Sequence, residues 1–154
     1  MRYFAYCTLL DLAEMRKFCP GAKPTVVASL SGYRVVFGRY PAGSDGGGCQ
    51  LEAAPGHEMY GLIYELSADE FDQLDRISGV DRGYYKRVGF IVATPTGNGI
   101  DVFTYVIPNS AGPFRPTAAY VRPFLAGAKA VQLPAEYVAE LEATVQAAVL
   151  PEEE

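Results

Sequence analysis

The residues best placed to do chemistry stand near the start of the chain, in Tyr6-Cys7-Thr8-Leu9-Leu10. An apolar strand over residues 3–6 runs into a tight loop, and a helix pattern follows. Such a junction suits an anionic group, because free backbone N–H groups point outward at a helix start and the helix dipole favours negative charge there. Cys7 is a candidate nucleophile, since a thiol near a helix N-terminus can have a depressed pKa. It needs a base, and His57 is the only histidine. His57 sits in the turn Pro55-Gly56-His57, and nothing in the sequence brings it to Cys7. The plainer reading is a buried, inert cysteine. Arg82 and Lys86 flank Tyr84-Tyr85 and offer charge-assisted hydrogen bonds to a carboxylate, or else solvate a rim. Gly46-Gly47-Gly48 lacks the Lys-Ser/Thr of a phosphate loop and no helix follows it. The spacing of Cys7, Cys19, Cys49 and His57 does not support a zinc site, so no cofactor is expected.

The elements that must position these residues are short strands with a few helices. Leu12, Met15 and Phe18 lie at helical spacing before the breaker Cys19-Pro20-Gly21. Residues 25–30 and 33–37 are β-rich and separated by Ser31-Gly32. Residues 40–48 predict a Pro- and Gly-rich loop with little to pack. Strands are expected at 49–53 and 59–65, joined by a turn at Pro55-Gly56. Ser67-Ala68-Asp69-Glu70 is a capping box, followed by Phe71, Leu74 and Ile77 on one helical face and by Gly79 as terminator. A hairpin is expected over 85–107 around Thr96-Gly97-Asn98-Gly99. Residues 118–125 and 134–149 predict two further helices. The pattern implies an α+β fold, a small mixed β-barrel with short flanking helices and a central pocket.

The chain has 154 residues, half of them apolar, and predicts one domain over residues 1–150 with an acidic tail at 151–154. A net charge of −5 argues against a nucleic-acid surface, which needs clustered Lys and Arg. No run of about 18 apolar residues suggests a membrane span, and no charged segment followed by an apolar one suggests a secretory leader. Three cysteines without a CxxC pair predict a reduced, cytoplasmic protein. The expected partner is a small molecule. No heptad or apolar patch speaks to the oligomeric state.

Tyr3-Phe4-Ala5-Tyr6-Cys7-Thr8-Leu9-Leu10 resembles the Tyr-Phe-Ala-Tyr-Gly-Ser-Asn-Leu signature of the gamma-glutamylcyclotransferase-like superfamily. Further matches follow in order. They are Gly46-Gly47-Gly48, Pro55-Gly56, the strand Glu58-Met59-Tyr60-Gly61-Leu62-Ile63-Tyr64, Leu74-Asp75-Arg76-Ile77-Ser78-Gly79-Val80, and Gly83-Tyr84-Tyr85. Tyr120, Gly127-Ala128 and Leu133-Pro134-Ala135-Glu136-Tyr137 complete the series. The resemblance covers nearly the whole chain. It implies that family's barrel and its reaction, in which an alpha-amino group attacks a gamma-glutamyl carbonyl to give 5-oxoproline. The Glu of a Glu-Gly-Val motif moves the proton, and the Gly-Ser-Asn-Leu loop holds the substrate through main-chain N–H groups. By that resemblance the substrate-binding residues are Tyr6, Cys7, Thr8, Leu9, Leu10, Ser78, Tyr85 and Tyr120. Tyr85, rather than Tyr84, is expected to face inward. Asp75 matches the Leu-Asp of the pattern and is expected to be structural.

Two positions depart from the pattern together. Cys7-Thr8-Leu9 replaces Gly-Ser-Asn, and Ser78 replaces the catalytic Glu. A serine hydroxyl cannot act as that base without a base of its own. Leu9 also makes the loop less polar, pointing to a ligand unlike glutamate. Glu52 is the candidate replacement acid: in Cys49-Gln50-Leu51-Glu52, Gln50 and Glu52 share one strand face, which either lines the pocket or faces solvent. Three functions stay open. The chain is an enzyme on a small amide, amine or carboxylate, with Glu52 or Cys7 as catalytic residue. Alternatively it is a non-catalytic small-molecule binder or regulatory subunit on the same fold, or a true cyclotransferase with a relocated acid.

Overall fold

A computed structural model describes residues 1–149. The acidic tail expected at 151–154 lies outside these residues. Five strands close into a barrel in the order β1-β3-β2-β4-β5. They are β1 (Arg2–Ala5), β2 (Lys23–Arg39), β3 (Gly47–Glu65), β4 (Lys86–Thr94) and β5 (Gly97–Val106). Four helices flank them: α1 (Leu12–Phe18), α2 (Ala68–Ile77), α3 (Ala118–Ala130) and α4 (Ala135–Ala148). The expected mixed barrel with short flanking helices is the architecture found. Among the described residues, no helix is long and apolar enough to cross a membrane.

β2 and β3 correct the expectation in detail, because each was expected as two separate strands. They form one long antiparallel pair, from Lys23↔Glu65 to Arg39↔Gly47. The register shifts between Ser31 and Tyr33, where Gly32 adopts φ +86°. A bulge changes which alternate residues face inward. Before it Ala28 and Leu30 are buried; after it Val35 and Phe37 are. Residues 54–57 bulge out of β3 at the same level, since Glu58 pairs with Ser31 but Ala53 with Tyr33. The segment after β2 was expected to have little to pack. Instead, the Tyr40 ring stacks on Tyr84 with centroids 4.5 Å apart.

The barrel's interior and the helices share one apolar core, with Phe4, Leu10, Met15, Phe71, Phe124 and Leu141 all essentially inaccessible. α2 starts as the sequence indicates: Ser67 accepts from the Glu70 N–H and Glu70 reaches back to the Ser67 N–H. It stops at Gly79, whose φ of +69° is a conformation glycine adopts without strain. α3 runs to Ala130, beyond the expected 125. Thr117 caps it by accepting from the Tyr120 N–H at 3.2 Å, which sets Tyr120 in the first turn.

Candidate small-molecule site

β1 delivers Tyr6 into the barrel. Tyr6 is 4% exposed, and its hydroxyl donates to the Tyr105 carbonyl at 2.7 Å. The chain then turns through Cys7 into a 3-10 segment over residues 8–10, closed by the Leu10 N–H donating to the Cys7 carbonyl at 3.0 Å. Asp11 caps α1 by accepting from the Ala13 N–H at 2.9 Å. The Tyr64 hydroxyl donates to the Leu9 carbonyl at 2.8 Å. Gly127 of α3 lies directly against the Leu10–Asp11 backbone; a Cβ there would stand 2.8 Å from Leu10 Cβ and closer still to Asp11 N. The loop expected to hold an anion is therefore fixed from two sides by packing.

It is also fixed covalently. Cys7 and Cys49 form a disulfide, with their Cα atoms 6.4 Å apart. This corrects two expectations. The cysteines are not all reduced, and Cys7 carries no free thiol to act as a nucleophile. Cys19 is the free cysteine, and it is buried. His57 is not near Cys7 either. It pairs with Glu140 and contacts the Tyr33 carbonyl at 2.8 Å through Nδ1.

Cys49 is the point on which the pocket tyrosines converge. β1 pairs only with the 62–65 end of β3, so the Cys49 edge is not covered by β1. Side chains satisfy it instead. Tyr85 donates to the Cys49 carbonyl at 2.9 Å, and Tyr6 lies 3.5 Å from the same oxygen. The Cys49 N–H donates to the Tyr120 hydroxyl at 3.1 Å. Burial pushes Tyr6, Tyr85 and Tyr120 above the ordinary tyrosine range. They stay protonated at neutral pH and serve as hydrogen-bonding phenols, not as bases.

Around these groups lies a cavity of about 400 Å³, a size usual for small-molecule sites. Cys7, Thr8 and Leu9 form one side, and Ile77 and Ser78 at the end of α2 another. Arg82, Tyr84 and Tyr40 build a stacked wall. The guanidinium carbon of Arg82 sits 4.8 Å from the Tyr84 ring centroid, and Tyr40 meets Tyr85 edge-on at 5.7 Å. Tyr84 and Tyr85 both line the cavity, although only Tyr85 was expected to. Tyr105, buried on β5, reaches it too. Tyr40 and Phe18 were missed, since neither belongs to a motif and only the return of the chain brings them there.

Among the described residues the lining contains no Asp or Glu, and Arg82 is its cation. Glu52 is not in it. Cys49 and Leu51 take the inward face of β3, leaving Glu52 exposed on the outside in an ion pair with Arg34. Of the two faces open to Glu52, the structure gives it the solvent side, which corrects its candidacy as the replacement acid. Leu10 is buried in the core behind the loop and does not reach the cavity wall. Lys86 is exposed and outside the cavity as well. The carboxylate of Asp75 stands behind Tyr105, accepting from its hydroxyl at 2.6 Å and pairing with Arg87 at 3.3 Å. Among the described residues, no cluster could hold a metal ion. A larger groove of about 1140 Å³ opens between β2 and the β4–β5 hairpin, but it holds none of the motif residues.

The comparisons with known proteins agree with this architecture. Residues 58–141 match the AIG2-like family. Gamma-glutamylcyclotransferase of Homo sapiens is 30% identical over 146 residues, which span 92% of this chain and 77% of that protein. The Mus musculus gamma-glutamylcyclotransferase is 29% identical over the same shares. A solved gamma-glutamyl cyclotransferase superposes with a TM-score of 0.87 at 28% identity, covering 100% of this chain and 90% of that one. The chain belongs to the AIG2-like family, within the gamma-glutamylcyclotransferase-like superfamily.

Proposed function

We propose that this protein binds a small carboxylate-bearing ligand with an apolar body in its central cavity, and that it does not carry out gamma-glutamyl cyclisation. One observation carries the reading: among the described residues no carboxylate lines the cavity, and this fits the resemblance by which Ser78 stands where the family has its catalytic Glu. A positioned general base is worth roughly 10² to 10⁴ in rate. The protonated tyrosines do not replace it, Glu52 faces away, and Asp75 is held behind Tyr105 by Arg87. Arg82 supplies a cation at the cavity, and Thr8 and Ser78 supply hydroxyls. Leu9, Phe18, Ile77 and the tyrosine rings offer apolar surface, which favours a ligand less polar than glutamate.

A second reading is an enzyme with altered chemistry. Its support is that Tyr6, Tyr85 and Tyr120 keep the family's pocket frame around the altered loop. Both readings meet the same assay. Incubation with gamma-glutamyl dipeptides and gamma-glutamyl amines is expected to yield no 5-oxoproline above the uncatalysed level; robust turnover would refute the loss of cyclisation. A thermal-shift panel of aromatic and aliphatic monocarboxylates is expected to show stabilisation that glutamate does not give. Arg82→Gln is expected to weaken that binding about tenfold or more, as loss of a charge-assisted contact implies. Equal stabilisation of wild type and variant would remove Arg82 from the site.

A further inference from the structure

We propose that the Cys7–Cys49 bridge is a thiol–disulfide exchange site, in which a small-molecule thiol entering the cavity opens the wall of the pocket and a small-molecule disulfide, by the reverse exchange, closes it. Both cysteines line the cavity, so the bridge is part of the surface a ligand meets. Their exposure differs. Cys49 is 3% exposed and Cys7 is partly accessible, so an incoming thiolate reaches Cys7 first. Attack on Cys7 Sγ forms a mixed disulfide and breaks the Cys7–Cys49 bond. The electron pair leaves on Cys49 Sγ, which takes up a proton. A second thiolate then attacks the small-molecule sulfur of the mixed disulfide and releases Cys7 as a thiolate. The net change is oxidation of two small thiols to their disulfide and two-electron reduction of the protein to a dithiol.

The two ends of the bridge are held differently, so opening it changes one wall and not the other. Cys49 keeps its backbone bonds to Tyr85 and Tyr120, which do not involve sulfur. Cys7 belongs to the turn that carries Thr8 and Leu9 into the cavity. Loss of the bridge therefore loosens the turn at Cys7, while Tyr64 and Gly127 still hold Leu9 and Leu10, and it leaves the tyrosine side in place. Cys19 is an internal reference. It is 1% exposed, its Sγ lies 3.5 Å from the Glu70 carbonyl, and burial first, then Glu70, raises its pKa. It does not react while the fold is intact.

The exchange depends on the cavity being open to small molecules, as the proposed function also requires. Its test uses neither carboxylate ligand nor turnover, so the two fail separately. The native protein, prepared without reductant, is treated with iodoacetamide before and after incubation with 2-mercaptoethanol, then mapped by peptide mass spectrometry. The expected result is no label at Cys7 or Cys49 before reduction and label at both after it, with Cys19 labelled only in denaturant. Label at Cys7 in the unreduced protein overturns the proposal. So does a bridge that opens only in denaturant, which makes it a structural cross-link. Two variants check the order of attack. With 2-hydroxyethyl disulfide, Cys49→Ser is expected to form a mixed disulfide at Cys7, whereas Cys7→Ser forms at least tenfold less at Cys49. Equal adduct on both variants, or none on Cys49→Ser, overturns the assignment of Cys7 as the attacked sulfur.

Discussion

Gly48→Ala is the sharpest test of the tyrosine arrangement around Cys49. Gly48 is buried in β3. A Cβ there would stand 2.7 Å from the Tyr120 hydroxyl and closer still to that of Tyr85, where ordinary contact begins near 3.4 Å. Both phenols would have to retreat, and both already spend their hydroxyls on Cys49, at 3.1 and 2.9 Å. Losing the two bonds costs about 1 kcal/mol each, and more where the Cys49 N–H or carbonyl is left buried and unsatisfied. Against this, alanine gains about 0.4–1 kcal/mol by restricting the unfolded chain. The net expectation is about 2–4 kcal/mol of destabilisation. For a domain of this size that lowers Tm by roughly 5–15 °C. Gly89→Ala in β4 is the matched control: its Cβ would meet nothing nearer than Phe103 Cε1 at 3.8 Å, and it is expected to leave stability equal or slightly higher. Circular-dichroism melts of the two variants give the answer. A Gly48→Ala protein that melts with or above the wild type would refute the described placement of Tyr85 and Tyr120.

Two further outcomes follow from the site and its surroundings. His57 has a pKa raised above its ordinary value, mainly by the Tyr33 carbonyl and further by Glu140, against opposing desolvation. A raised folded pKa contributes stability that is complete below the unfolded value of about 6.5 and is lost as pH rises through the folded value. His57→Gln should therefore destabilise the protein slightly at pH 5.5–6 and hardly at all at pH 8; a larger loss at pH 8, in urea titrations at both values, contradicts the sign. Glu52→Gln removes an exposed partner of Arg34, so it is expected to leave carboxylate binding unchanged and to shift stability by less than about 1 kcal/mol. A strong loss of binding measured by calorimetry would put Glu52 back in the site.

What the sequence reveals and what it hides divide along physical lines. Local rules with one reading held: the capping box at Ser67 and Glu70, Gly79 as terminator, and the hairpin of β4 and β5. The long β2–β3 pair was split in the sequence reading because a bulge and a glycine with positive φ produce the same composition as a turn. Only the pairing partner separates the two. The side taken by Glu52 stays open in the sequence for a related reason. Alternation puts Gln50 and Glu52 on one face and Cys49 and Leu51 on the other, but it does not say which face looks inward; burial of Cys49 and Leu51 decides that. The order of family motifs located Tyr6, Ser78, Tyr85 and Tyr120 around one cavity. Tyr40 and Phe18 stand outside any motif and enter through long-range packing. The disulfide was hidden for the same reason, since 42 positions separate its cysteines.

The bridge also bears on why the loop and position 78 differ together from the family pattern. The turn after Cys7 is a single 3-10 segment of three residues, with no side-chain cap, and such a segment holds its shape weakly. A cross-link closing a loop of this length restricts the unfolded chain by about 4 kcal/mol in the chain-entropy model. That is a large share of the roughly 5–15 kcal/mol that keeps a domain folded. By the resemblance, the loop in the family reaction holds a glutamate backbone while a carboxylate on the facing segment moves protons. Here the facing segment offers Ser78, with no proton to exchange at neutral pH, and the loop offers Leu9 in place of an amide. A loop held by a covalent tether, opposite a hydroxyl, supports the proposal of a ligand that is gripped and not cyclised. Where small thiols reduce the tether as proposed, the loop's grip changes with it, and that control needs no acid–base residue in the cavity.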